Sequence, residues 1–229
     1  MLTPDELEIL NLSLRVAFWC VAISLPLAIP IAFVLSRYRF PGKSLLDAAV
    51  HLPLVLPPVV IGYLLLLALG RRGALGMFLE QYFGIVIAFR WTGAAIASAV
   101  MGFPLMVRAI RLSLEAIDEK LEAAAATLGA NPAWVFLTVT LPLAFPGIIN
   151  GMLLSFARSL GEFGATITFV SNIPGETRTL PIAIYTYTQV PGGDTQALRL
   201  IVISILLSIA ALVVSEFLTR HASRRMKSA

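Results

Sequence analysis

Long apolar segments alternate with short charged ones along this chain. Five of the apolar segments are long enough and poor enough in charge to be predicted as membrane-spanning helices. They cover residues 16–36, 48–70, 92–107, 142–166 and 198–218. The pattern predicts an all-α integral membrane protein with five transmembrane helices, forming one domain over residues 1–229.

Some apolar segments do not fit a simple crossing. Residues 51–58, which open the second segment, contain three prolines and predict an irregular entry, because proline donates no N–H and disfavours helix in the residue before it. Residues 84–89 are too few to span a bilayer. Residues 180–190 are also short, with Pro181 near their start and Pro191 directly after them, so we expect them to be re-entrant or to lie along the membrane surface.

Composition agrees with a membrane protein. Of the 229 residues, 58% are hydrophobic and 13% are charged, whereas soluble chains are usually about half apolar and a quarter charged. The net charge of +4 would suit nucleic acid, but the basic residues stand at the ends of apolar segments, a pattern typical of membrane topology. The single cysteine, Cys20, lies inside the first span, so no intrachain disulfide is expected.

The basic residues also predict an orientation. Cytoplasmic loops are rich in lysine and arginine, and three segments that alternate on one side of the predicted membrane share this property. They contain Arg37, Arg39 and Lys43; Arg108, Arg111 and Lys120; and Arg220, Arg224, Arg225 and Lys227. We therefore expect the C-terminus inside and the acidic N-terminus outside. Arg71, Arg72 and Arg90 then lie outside, and they count against this orientation.

Residues 114–142 differ from the rest of the chain, because much of this stretch is polar, charged and alanine-rich. Asp118 suits the N-cap of a short helix, and Gly129 suits the left-handed residue that ends one. Asn131 followed by Pro132 suits the start of a second helix. Small residues at 123–126 would let another protein approach the first helix closely. Local chemistry predicts two short cytoplasmic helices that meet at a glycine.

This stretch resembles the cytoplasmic coupling loop of permeases from binding-protein-dependent ABC importers. The motif of that family reads Glu-Ala-Ala, three residues, Gly, nine residues, Ile-x-Leu-Pro. The positions that stand in register with it are Ala124, Ala125, Gly129, Val139, Leu141 and Pro142. Glu122 departs from it by one residue, since Ala123 occupies the glutamate position.

The resemblance implies the type I ABC importer permease fold and a set of partners. Two permease chains would pair with two cytoplasmic ABC ATPases that bind ATP and magnesium, and an external oxyanion-binding protein would deliver the substrate. The residues that the resemblance makes candidates for ATPase coupling are Glu122, Ala124, Ala125, Gly129, Leu141 and Pro142. No cofactor, metal site or catalytic residue is expected in this chain itself.

Within the family, the chain looks most similar to the molybdate permeases and their sulfate and tungstate relatives. Residues 51–62, 70–73, 157–166 and 174–181 carry this likeness. It implies molybdate import by alternating access across a bacterial inner membrane, with the permease as a homodimer. Sulfate or tungstate import on the same fold stays open as an alternative.

Polar groups near the fourth span are candidates for the transport pathway. Arg158 and Glu162 are four residues apart and can pair on one helix, and charges at membrane depth usually face protein or a water-filled path. The pair either lines the pathway or locks the helix to a neighbour. The neighbouring hydroxyls, which suit weak binding in transit or helix packing, are Ser155, Ser159, Thr166 and Thr168.

Two other classes of function fit the sequence less well. A secondary transporter driven by an ion gradient generally has more spans and an internal repeat, and neither is evident here. An intramembrane protease would need a nucleophile elbow or a His-Glu-x-x-His helix. The sequence also contains no Walker motif, so we expect ATP hydrolysis to take place in a separate subunit.

Overall fold

Helices make up most of the protein. The computed structural model describes residues 3–227, and the side chains of all of these except 215, 216 and 218–227. The described part contains α1 Pro4–Arg37, α2 Lys43–Val55, α3 Pro58–Leu69, α4 Ala74–Phe83, α5 Trp91–Glu115, α6 Glu119–Thr127, α7 Pro132–Val135, a π-helical turn Phe136–Thr140, α8 Leu141–Leu160, α9 Gly164–Val170, α10 Leu180–Thr188 and α11 Asp194–Lys227. Arg220, Arg224, Arg225 and Lys227, used above for the orientation, are among the residues whose side chains are not described.

Four helical stretches within the described residues are long and apolar enough to cross a membrane. They are Pro4–Arg37, Trp91–Glu115, Pro132–Leu160 and Asp194–Val214. In this order, they contain most of the first, third, fourth and fifth predicted spans. The pair formed by α2 and α3 covers the second predicted span and is bent by 112°, so the described residues contain four candidate spans, or up to five if this pair is one broken span.

The bend between α2 and α3 has a clear sequence cause. Leu56 is extended, with φ −72° and ψ 144°, as expected for a residue that precedes proline. Pro57 and Pro58 follow it, and neither can continue the hydrogen-bond ladder of α2. The predicted irregularity is therefore present, but residues 51–55 are helical and the break lies in the middle of the segment.

The first helix begins well before the predicted start of its span at residue 16. Thr3 and Glu6 form a capping box, in which the Thr3 N–H donates to Glu6 Oε2 at 2.8 Å and the Glu6 N–H donates to Thr3 Oγ1 at 3.3 Å. Reciprocal bonds of this kind satisfy two N–H groups that a helix start otherwise leaves open. The acidic N-terminal residues are thus the first turns of α1.

One of the core clusters forms where α1, α5 and α8 pack together. Small residues recur every four positions along α8, at Gly147, Gly151, Ser155 and Ser159, and such a stripe lets membrane helices approach closely. A Cβ added at Gly102 of α5 would lie 2.5 Å from Ser155 Oγ, and one added at Gly151 would lie 3.0 Å from the carbonyl oxygen of Met106. The α5–α8 contact therefore depends on missing side chains.

The fourth predicted span is not continuous to residue 166. α8 ends at Leu160, and a new helix, α9, begins at Gly164. The break contains Gly161, a weak helix former. After the break, α9 packs closely against α3, because a Cβ at Gly62 would lie 2.5 Å from the Ala165 carbonyl oxygen and one at Gly164 would lie 2.8 Å from Pro58 Cβ. The second halves of two interrupted segments therefore lie side by side.

The short apolar segment at 180–190 contains helix α10. Its Leu180, Ile182 and Ala183 are buried, and it packs against α11 and α1. The Leu180 N–H donates to Ser13 Oγ at 2.8 Å, which ties the start of this helix to α1. The residues 84–89 form no helix, in line with their predicted inability to span.

Candidate functional site

The caps predicted for the 114–142 loop are present in α6 and α7. Asp118 caps α6 by accepting the Lys120 N–H at 2.9 Å, and Asn131 caps α7 by accepting the Trp134 N–H at 2.8 Å. Gly129 has φ +88°, the left-handed conformation that glycine adopts without strain. Its N–H donates to the Ala126 carbonyl, and the next N–H donates to the Ala125 carbonyl, which completes a Schellman-type helix end.

The second helix of the loop was predicted to be short and separate, but it continues through Pro142 into α8. Pro132–Leu160 forms one long helical stretch, with the π-helical turn Phe136–Thr140 just before Leu141 and Pro142. A proline ring in a helix meets the carbonyl four residues earlier, and widening the helix before it relieves this contact. The loop is therefore joined to α8 without an intervening coil.

The outer surface of α6 is an apolar stripe exposed to solvent. Leu121, Ala124, Ala125 and Leu128 stand at the i, i+3, i+4, i+7 spacing of one helix face, and Leu128 is 89% exposed. Trp134 on α7 is 61% exposed beside it. A groove of about 490 Å³ lies between them, next to Gly129. Sequence reasoning selected the two alanines and missed both leucines, although their spacing was visible.

Glu122 faces the opposite side, toward the body of the protein. Its Oε1 accepts from Arg37 Nη2 and from Thr140 Oγ1, both at 2.9 Å. Arg37 is the last residue of α1, and Thr140 ends the π-helical turn and is buried. The displaced glutamate of the motif thus has internal partners. Arg37 served in the sequence only as an orientation signal, since no local pattern links residues 85 positions apart.

The Leu-Pro pair lies at the base of the loop. Leu141 is half-buried and packs against the core cluster that contains Ala144 and Ile148. Pro142 is exposed and lies inside the continuous Pro132–Leu160 stretch, directly after the π-helical turn and Leu141. Of the six coupling candidates, Ala124, Gly129 and Pro142 are exposed, and Glu122, Ala125 and Leu141 are half-buried.

Arg158 and Glu162 form an ion pair across the break between α8 and α9. Arg158 Nη1 lies 2.7 Å from Glu162 Oε2, and the two side chains are 29% and 1% exposed. The other carboxylate oxygen, Oε1, accepts the Ala165 N–H at 2.8 Å. Glu162 therefore neutralises a charge on α8 and also caps the first turn of α9, and the Arg158 side chain stays partly exposed.

Three of the four candidate hydroxyls have a hydrogen-bond partner within the protomer, and Ser159 Oγ has none among the described residues. Ser155 is fully buried against α5, with Cys20 Sγ 3.6 Å from its Oγ, and Ser159 is also buried. Thr166 Oγ1 donates to the Phe163 carbonyl at 2.9 Å, and Thr168 Oγ1 donates to the Gly164 carbonyl at 2.8 Å. Thr168 is half-buried. Geometry within one protomer places these serines in helix packing, and their role in a pathway stays a prediction.

Comparisons with known proteins agree on the family. The model of the binding-protein-dependent transport system inner membrane component family matches residues 24–228. The chain is 60% identical over 225 residues to the molybdenum transport system permease protein ModB of Escherichia coli (strain K12), covering 98% of both chains. It is 57% identical over 221 residues to ModB of Haemophilus influenzae, covering 96% of both.

Solved structures show the same fold at low sequence identity. A chain of the MetNI methionine ABC transporter in an inward-facing conformation is 17% identical with a TM-score of 0.74, over 96% of this chain and 99% of that one. A chain of a bacterial alginate ABC transporter, solved with its alginate-bound periplasmic protein, is 19% identical with a TM-score of 0.71, over 98% and 80%. The chain belongs to the family of binding-protein-dependent transport system inner-membrane components, and it has the fold of ABC importer permeases.

Proposed function

We propose that this chain is the permease subunit of an ATP-driven importer that moves molybdate across the bacterial inner membrane. The observation that carries the proposal is the likeness to molybdenum permeases along almost the whole chain, at 60% and 57% identity. The loop formed by α6 and α7 supports the importer class. Because α7 continues into α8 without a coil, a movement of a separate ATPase against this loop would be passed on to α8. ATP and magnesium would bind in that ATPase, and an external binding protein would supply the oxyanion.

Sulfate is the alternative substrate, because the chain is also 38% identical over 186 residues to the sulfate transport system permease protein CysT of Salmonella typhimurium. The test is uptake of labelled molybdate into vesicles that carry the chain with its ATPase and binding protein. ATP-dependent uptake that resists excess sulfate supports molybdate. Uptake abolished by sulfate moves the substrate to sulfate, and uptake independent of ATP rejects the importer.

The proposed topology has five spans, with α2 and α3 as one broken crossing, the N-terminus outside and the coupling loop inside. The chain has a single cysteine, Cys20, which is buried and leaves a quiet background for labelling. We expect a membrane-impermeant maleimide to label Ile173→Cys in intact cells, and Leu128→Cys only after permeabilisation. The reverse pattern would invert the topology.

The apolar stripe of α6 is the proposed contact with the ATPase, which supports coupling roles for Ala124 and Ala125. Leu128→Asp places a charge on the most exposed leucine of this contact, so we expect the ATPase to be lost from the purified complex. Thr127→Asp is the matched control, because it adds the same charge at the same helix end on an exposed position about 100° away around the helix. Equal retention of the ATPase by both variants would contradict the contact.

Two permease copies are proposed to form the pathway between them, because five helices rarely enclose a route alone. Arg158 and Thr168 are the best-placed candidates for lining this pathway, because their side chains are partly exposed. The other four candidates are buried next to them and would support the pathway wall: Glu162, Ser155, Ser159 and Thr166. Native mass spectrometry of the purified importer should show two copies of this chain and two ATPases. A complex that contains one copy of this chain and a different permease would refute the homodimer.

A further inference from the structure

Coupling helix α6 has few packing contacts of its own with the rest of the molecule. All nine of its residues are exposed or half-buried. A cavity of about 560 Å³ separates it from the end of α1, with Phe33 and Tyr38 on one side and Ala123 and Ala126 on the other. Across this cavity, side chains that bridge the gap are what link α6 to the end of α1.

Arg37 bridges this cavity from the last turn of α1. Its Nη2 donates to Glu122 Oε1 at 2.9 Å, and its Nη1 lies 3.4 Å from Glu119 Oε1. Nη2 also donates to the Ile117 carbonyl at 3.4 Å, just before α6. The Arg37 side chain is only 11% exposed, so its charge is largely removed from water and directed at these acceptors. Charge-assisted bonds in such partly buried sites are stronger than ordinary hydrogen bonds.

The base of the loop is held to α1 by a second, independent contact. Phe33 and Phe136 stack edge to face with ring centroids 4.8 Å apart, which joins α1 to the π-helical turn. Thr140, from the same turn, shares Glu122 Oε1 with Arg37. The three segments α1, α6 and the π-helical turn therefore meet at one carboxylate.

We infer that Arg37 is a positioning residue for transport, which makes the cytoplasmic end of α1 move together with coupling helix α6. The inference rests on the proposed function, and it adds a second route for the motion. The ATPase would move α8 through the continuous helix, and it would move α1 through the Arg37–Glu122 pair. Since α1 and α8 both pack on α5, moving them together preserves the core.

Variants of Arg37 in the whole importer, reconstituted in lipid with its ATPase and binding protein, test this role. Arg37→Gln should keep the ATPase bound and hydrolysing ATP, while molybdate taken up per ATP falls about tenfold, the size expected from losing a charge-assisted bond. Arg37→Lys should fall in between, because a single ammonium does not reproduce the forked contact with both glutamates. The exchange Arg37→Glu with Glu122→Arg should recover part of the ratio.

Arg39→Gln is the matched control, since Arg39 is exposed two residues further along and its loss removes the same charge from the same loop. An uptake-per-ATP ratio in Arg37→Gln equal to that of Arg39→Gln would overturn the inference. Loss of the ATPase from the Arg37→Gln complex would also overturn it, because the residue would then serve assembly. Failure of the exchange to recover any of the ratio would count as a third refutation.

A spin-label distance separates this inference from the choice of substrate. Labels at Arg39 and Thr127 report the distance between the end of α1 and α6 with and without ATP and vanadate. We expect one narrow distance in both states of the unmodified chain, and a broad distribution after Arg37→Gln. Equal widths would refute the role of Arg37, whatever the outcome of the molybdate uptake test on the unmodified importer.

Discussion

Replacing Gly129 by valine should uncouple the importer while leaving it assembled in the membrane. Gly129 has φ +88°, and a Cβ added there would meet nothing within 4 Å. Any defect therefore comes from backbone strain and not from a clash. The left-handed conformation costs an L-residue about 1–2 kcal/mol, and a β-branched side chain is among the least tolerant of it.

The strain is large relative to what holds this helix end together. The Gly129 N–H donates to Ala126 at 3.0 Å and the Ala130 N–H donates to Ala125 at 3.4 Å. Such bonds contribute about 0.5–1.5 kcal/mol each, and exposure places these two at the lower end. About 2 kcal/mol of strain thus offsets the two hydrogen bonds that end α6. It lowers the population of the ordered α6–α7 loop about thirtyfold relative to conformations in which this helix end is disordered.

Gly192→Val is the matched control for this prediction. Gly192 has φ +81° and also meets nothing within 4 Å, but it lies between α10 and α11, away from the coupling loop. Both variants carry the same kind of strain, so both should insert and express alike. Binding-protein-stimulated ATP hydrolysis and molybdate uptake in proteoliposomes should fall strongly for Gly129→Val only. Equal losses in the two variants, or normal uptake by Gly129→Val, would refute the reasoning.

Two further predictions concern the broken helices. Glu162→Gln should lower the melting temperature of the detergent-solubilised importer by several degrees, because it leaves the Arg158 charge at membrane depth without its partner, while a Gln oxygen can still accept the Ala165 N–H. Adding Arg158→Gln should restore the melting temperature. No recovery would contradict a stabilising role of the ion pair. Gly62→Ala should also lower the melting temperature, since its Cβ would lie 2.5 Å from a backbone oxygen and overpacking costs about 1–3 kcal/mol. Gly161→Ala, with its nearest neighbour at 4.0 Å and φ −95°, is the control and should be neutral.

The parts of the molecule that depend on local chemistry were predictable from the sequence. Asp118, Gly129 and Asn131 each act within a few residues of their own position, so their roles as caps follow from residue type and order alone. The apolar spans are visible for the same reason, because lipid exposure demands a long run of apolar side chains. An irregularity was predicted over residues 51–58, and the bend lies at Leu56–Pro57, after residues 51–55 that are helical. The sequence does not decide its position more closely, because any of the three prolines could cause it.

The parts that depend on tertiary contacts were not predictable. Nothing in the sequence near Arg37 indicates Glu122, and the pairing arises because the loop folds back beneath α1. The break at Gly161–Phe163 contains no proline, so no strong helix breaker marks it within the predicted span. Helix packing was equally hidden: Ser155, a predicted pathway hydroxyl, faces Gly102 across the α5–α8 contact, and its role in a pathway stays a prediction.

The break between α8 and α9 reconciles the two roles that the sequence left open for Arg158 and Glu162. An ion pair within one continuous helix would be a local brace, but here Glu162 uses one oxygen for Arg158 and the other for the Ala165 N–H. That double use explains why Glu162 is almost fully buried while Arg158 retains 29% of its side-chain surface. Arg158 contacts Glu162 through Nη1, and a guanidinium carries five N–H donors in all, the group with which arginine binds oxyanions. Glu162 therefore holds Arg158 in position. If the double variant Arg158→Gln, Glu162→Gln regains the melting temperature of the unmodified importer but does not transport molybdate, Arg158 belongs to the substrate path.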